Sequence, residues 1–99
     1  MIDTLKNKSK NIAEIIINNY DYYLNDNEIL KEIWKISLSE ANLLLFYNVE
    51  IYDEKTINDI LSNRLSNTKE IKKMNNEEKL WNVMKIYILD YLNNNNIFL

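Results

Sequence analysis

Leu80-Trp81-Asn82-Val83-Met84-Lys85-Ile86-Tyr87-Ile88-Leu89-Asp90-Tyr91-Leu92 is the most apolar segment of the chain. Wound at 3.6 residues per turn, it sets Leu80, Met84, Tyr87 and Tyr91 on one line with Trp81, Ile88 and Leu92 beside them, so apolar side chains cover about half of the circumference. Such a helix needs neighbours on more than one side. Ile86 and Leu89 fall among Lys85, Asn82 and Asn93 on the remaining side, which calls for cover from another helix or from another subunit.

The rest of the chain is read outward from that helix. Its 99 residues are enough for one domain with a single core and too few for two. At 46% hydrophobic and 27% charged it is ordinary globular material. There is no glycine and no proline. Tight hairpins lean on glycine for positive φ, whereas helices can end on asparagine, so the absence argues for helices. The abundance of Ile, Asn, Lys and Tyr matches the coding bias of an AT-rich genome, such as that of a bacterium, phage or plasmid. There is no cysteine, hence no disulfide framework, and a cytoplasmic location fits best. The apolar run after the first ten residues is interrupted by Glu14 and Asn18, so neither a signal peptide nor a membrane span is expected.

Periodicity predicts a first helix over residues 3–24. Leu5, Ile12, Ile16, Tyr20 and Tyr23 share one face with Ala13, and Asn7, Lys10, Asn11, Glu14, Asn18 and Asp21 form the opposite stripe. Asn25-Asp26-Asn27 breaks it, and Ile29, Leu30, Ile33 and Trp34 mark a second helix over 27–36. Ser37-Leu38-Ser39-Glu40 reads in two ways. Ser37 and Glu40 have the spacing of a capping box, which starts a new helix over 38–48, while the apolar positions Leu30, Trp34, Ala41 and Leu45 continue without a phase break. The new helix is the preferred reading, and Leu43 to Tyr47 is expected to be buried in either case. Val49-Glu50-Ile51-Tyr52 alternates and suits a short extended piece.

Asp53 is a good N-cap for a helix over 54–65 bearing Ile57, Ile60, Leu61 and Leu65. A short helix over 67–74 follows, anchored by Ile71. Asn75-Asn76-Glu77-Glu78 opens the last helix, over 77–93, with carboxylates where the helix dipole favours them, and Asn93 to Asn96 closes it. Ile97-Phe98-Leu99 should fold back on the core or dock on a partner, and a homodimer through the last helix and tail is one expected consequence. The architecture is therefore all-α, a compact single-domain bundle of four to six helices.

The chain lacks histidine, cysteine and glycine, and with them the imidazole base, the thiolate, the zinc ligands and the phosphate-cradling loop. No catalytic residue, metal or cofactor is expected. Asp53 with Glu54, and Glu77 with Glu78, are carboxylate pairs, but both sit where helix N-termini want negative charge. A helix-turn-helix is the nearest match to a motif: Thr56, the Ile60-Leu61 pair and Ile71 have its spacing, and Arg64, Asn67, Thr68, Lys69, Lys72 and Lys73 would face nucleic acid. Against it, Leu61 is large where a small residue lets the helices approach, and a net charge of −3 with a single arginine offers no general phosphate-binding surface.

Seven tyrosines and two tryptophans remain. Trp34 and Trp81 fit core seams. Tyr22, Tyr47 and Tyr52, with the acidic Asp53 and Glu54, are the candidate protein-binding positions, because tyrosine supplies contact area at low entropy cost. The expected function is that of a non-enzymatic protein that binds and inhibits or regulates another protein, in the manner of an immunity protein, antitoxin or phage inhibitor. A small helix-turn-helix DNA-binding protein is the alternative.

Overall fold

A computed structural model describes residues 2–19, 27–48 and 53–98. Among the described residues the chain forms five helices and no strand: α1 (Ile2–Asn18), α2 (Asn27–Asn48), α3 (Glu54–Arg64), α4 (Thr68–Lys73) and α5 (Asn76–Asn94). None is long and apolar enough to cross a membrane. The first helix, expected to reach residue 24, ends at Asn18 with Asn19 in a turn, and residues 20–24, with Tyr20, Tyr22 and Tyr23, lie outside the described residues, as does the 49–52 segment.

The segment around residue 86 is the centre of the fold, for α5 packs against α1, α2 and α3 at once. Leu80, Met84, Ile88 and Leu92 are fully buried, and Tyr87 and Tyr91 pack half-buried against the same core. A second stripe, Lys79, Val83, Ile86 and Asp90, runs at the i, i+4, i+7 spacing of a single face. Both of its ends are tied to α3, by Lys79 with Glu54 at 3.4 Å and by Arg64 with Asp90 at 2.5 Å. The two pairs ascend both helices together, so α3 and α5 run parallel. Ile86 lies on this stripe and is buried within the chain, so no second subunit is required to cover it.

Short polar side chains set the helix ends. Asp53 accepts the amide of Thr56 at 3.1 Å, Asn67 that of Lys69 at 3.1 Å, and Asn75 that of Glu78 at 2.8 Å, each satisfying a donor left open in a first turn. Thr56 Oγ1 also donates to Asp53 Oδ2 at 2.6 Å. The end of α5 is a Schellman turn without glycine. Asn96 takes φ 61°, its amide donates to Asn93 O at 3.0 Å, and the Ile97 amide donates to Leu92 O at 2.9 Å. Ile97 is thereby swung back onto the core and buried, while Phe98 points outward.

Two expectations are corrected. Residues 27–48 form one continuous helix, not two joined at Ser37. The Ser37 hydroxyl donates to Ile33 O at 2.9 Å in a fully buried position, so it bonds back along the helix rather than capping a new one. Ser9 does the same to Leu5 O at 2.7 Å. Leu43 to Tyr47 is also not buried as a block. Ala41 and Leu44 face the core, but Leu43, Phe46 and Tyr47 are exposed. Five successive residues on a helix sweep more than its whole circumference, so they cannot share one buried face.

Candidate functional site

Continuity of α2 is what creates the exposed face. With Ile33, Ser37, Ala41 and Leu44 pointing inward, Ile36, Leu43 and Tyr47 recur on the outer side at i, i+7 and i+11, with Phe46 next to them. Phe46 and Tyr47 are 76% and 75% exposed and meet edge to face, with ring centroids 5.1 Å apart. The pair is a ready aromatic edge in solvent.

Helix α1 extends this face. Lys8 Nζ bonds Glu40 Oε2 at 2.8 Å, and about two α1 turns further on, Ile15 lines the same groove as Ile36, one turn back along α2, so α1 and α2 run in opposite senses. Between them is a shallow groove of about 240 Å³ with Ile12 in its floor and Ile15 and Ile36 on its walls. The groove and the aromatic edge together place five large apolar side chains, Ile15, Ile36, Leu43, Phe46 and Tyr47, in water. Large apolar side chains exposed in a group, rather than scattered singly, mark contact sites.

Of the protein-binding positions expected from sequence, Tyr47 belongs to this face. Tyr22 and Tyr52 lie outside the described residues. Asp53 and Glu54 are occupied by structure: Asp53 caps α3, where the Thr56 hydroxyl and amide hold its carboxyl below the usual range, and Glu54 meets Lys79. Phe46, Ile36, Leu43 and Ile15 were not expected there. The signal was present in the run from Leu43 to Tyr47, which on any single helix must turn some members outward.

Of the nucleic-acid candidates, Arg64 and Asn67 are held by structural contacts and the other four share α4. The Arg64 guanidinium forms two hydrogen bonds with the Asp90 carboxylate, at 2.6 and 2.5 Å, which raises the pKa of the arginine and lowers that of the aspartate. Asn67 caps α4. Thr68, Lys69, Lys72 and Lys73 are exposed on α4, a helix of only six residues held by Ile71. Leu61 is fully buried, so its bulk is accommodated by the core.

Among the described residues, two further clefts flank α5. One, about 250 Å³, lies against α1, where the Lys6 ammonium is 5.5 Å from the Tyr87 ring and that of Lys10 is 5.8 Å from the Tyr91 ring. Burial, and then Asp90, push the Tyr87 hydroxyl up, and Tyr91, donating to Glu14 Oε1 at 3.1 Å, is raised mainly by that bond. The other, about 340 Å³, lies between α3, α4 and the start of α5. Among the described residues no three acidic side chains converge as a metal site would require. Compared with known proteins, the chain matches no family model, no curated protein and no solved structure.

Proposed function

We propose that this chain is a non-enzymatic cytoplasmic protein that binds another protein and inhibits or regulates it, in the manner of an immunity protein, antitoxin or phage inhibitor. The observation that carries the reading is the exposed face of α1 and α2, with Phe46 and Tyr47 as its anchors. Aromatic side chains of this kind dominate interface energetics, and a shallow apolar groove between two helices accepts the apolar face of a partner helix. The Lys8–Glu40 pair crosses the same groove and offers one charge of each sign at its rim. The partner face expected is therefore apolar at its centre with polar flanks.

Replacing Phe46 by a photocrosslinking phenylalanine derivative in the producing cell tests the reading. One recurrent crosslinked protein is expected, and its measured affinity for the purified chain should fall at least tenfold in Phe46→Ala and in Tyr47→Ala, since a true hot spot costs ~2 kcal/mol or more. Crosslinks scattered over abundant proteins, or an affinity indifferent to both changes, would refute it.

The DNA-binding alternative keeps one favourable observation, the three exposed lysines of α4. Salt-sensitive retardation of DNA lost in a Lys69, Lys72, Lys73 triple-alanine variant would replace the first reading with this one.

A further inference from the structure

The cleft between α3, α4 and α5 contains a buried cation that has one hydrogen-bond acceptor among the described residues. Lys79 lies on the α3-facing stripe of α5, and its side chain is only 9% exposed. An ammonium has three donors, and this one has a single acceptor among the described residues, Glu54 Oε1 at 3.4 Å. That is the long end of a hydrogen bond. Burying a charge with so little compensation is costly, and an anion bonded to the remaining donors would offset part of that cost.

The other groups lining the cleft suit the same ligand. Lys72 brings a second ammonium from α4, Ser62 and Thr68 bring hydroxyls from α3 and α4, and among the described residues no carboxylate lines the space. Asn58 also lines the cleft, and among the described residues its buried side-chain oxygen has no hydrogen-bond partner. Rotation of that amide presents either an acceptor or two donors. The cleft thus gathers two cations and three neutral polar groups from three helices. Two ammonium groups together with hydroxyl and amide donors suit an anion that has several acceptor oxygens and more than one negative charge, as a phosphate has. At about 340 Å³ the space lies at the small end of ligand clefts, roughly 300–1,000 Å³, which leaves room for a phosphate and a small attached group.

We propose that this cleft binds a phosphate group, held by Lys79 and Lys72 with Ser62, Thr68 and Asn58 completing its hydrogen bonds, and that Glu54 competes with it for the Lys79 ammonium. The site is separate from the α1–α2 face and does not depend on the function assigned to that face. Free phosphate and a small phosphate monoester share the chemistry, and the size of the cleft favours the monoester.

Titration of the ¹⁵N-labelled chain with inorganic phosphate and with phosphoserine, against sodium chloride at matched ionic strength, tests the proposal. Saturable shifts are expected around Asn58, Ser62, Thr68, Lys72 and Lys79, with phosphoserine the tighter of the two. Lys72→Gln, on the surface, should weaken binding about tenfold, the scale of one charge-assisted hydrogen bond. Glu54→Gln should tighten it by releasing the ammonium, and Lys79→Gln, if folded, should abolish it. Equal shifts with chloride, binding unchanged in Lys72→Gln and Glu54→Gln, or shifts confined to the exposed lysines of α4 would overturn it. Inorganic phosphate binding more tightly than phosphoserine would overturn the monoester preference.

Discussion

Phe46 separates a docking residue from a core residue by opposite effects on stability and binding. A phenylalanine presents on the order of 200 Å². At 76% exposure, about 150 Å² of it stays in water and only about 50 Å² is covered by the fold. At ~25 cal/mol per Å² the covered part stabilises the folded chain by no more than ~1 kcal/mol, and less once compactness of the unfolded chain is counted. Phe46→Ala should therefore move the urea midpoint little. Its neighbour Leu44 is buried, and Leu44→Ala should cost ~2–5 kcal/mol. In a complex the ordering reverses. Burying the exposed ~150 Å² is worth ~4 kcal/mol gross, and ~1 kcal/mol is lost to immobilising the ring, leaving ~3 kcal/mol, about a hundredfold in affinity. The assays are equilibrium urea unfolding of both variants and isothermal titration against the crosslinked partner. Equal destabilisation by Phe46→Ala and Leu44→Ala would show that the ring is packed in solution. A stable Phe46→Ala variant with wild-type affinity would remove the face from the binding reaction.

Three further outcomes follow from the packing. Ser37→Ala should change stability by less than ~0.5 kcal/mol, because its hydroxyl only doubles an existing helical carbonyl bond, whereas Asp53→Ala and Asn75→Ala should each cost ~1 kcal/mol by emptying an N-cap; equal losses at all three would restore a helix start at Ser37. Asp90, held below the ordinary carboxylate range by Arg64, contributes stability that is present above its unfolded pKa of ~3.9 and lost as pH falls through its lower folded value. Both partners are 46% and 40% exposed, so solvent screening keeps the gain below ~1 kcal/mol, and Asp90→Asn should flatten that part of the acid limb in pH-dependent urea unfolding; an unchanged limb would refute the linkage. Ile97→Ala should cost ~2 kcal/mol and Asn96→Gly should be neutral or stabilising, as read by thermal unfolding, because glycine takes φ 61° without strain; a destabilising Asn96→Gly would contradict the turn.

Local chemistry was legible without the fold. The absence of glycine and proline, the 3.6-residue period of α1 and α5, and the caps at Asp53 and Asn75 depend on residues a few positions apart, so the sequence by itself determined an all-helical chain and most of its helix ends. The turn at Asn96 falls within the closing asparagine run, but only the fold decided that Ile97 returns to the core rather than docking on a partner. Tertiary structure decided the rest. Whether Ser37 caps or bonds backward depends on which side of α2 meets α5, since the same residues allow both geometries. Arg64 is taken by an aspartate 26 positions away, and Lys79 meets a glutamate 25 positions away, pairings that no local period encodes. The outward turn of Leu43, Phe46 and Tyr47 has the same origin, because a helix apolar on several sides buries the side its neighbours reach and leaves the others to solvent or to a partner.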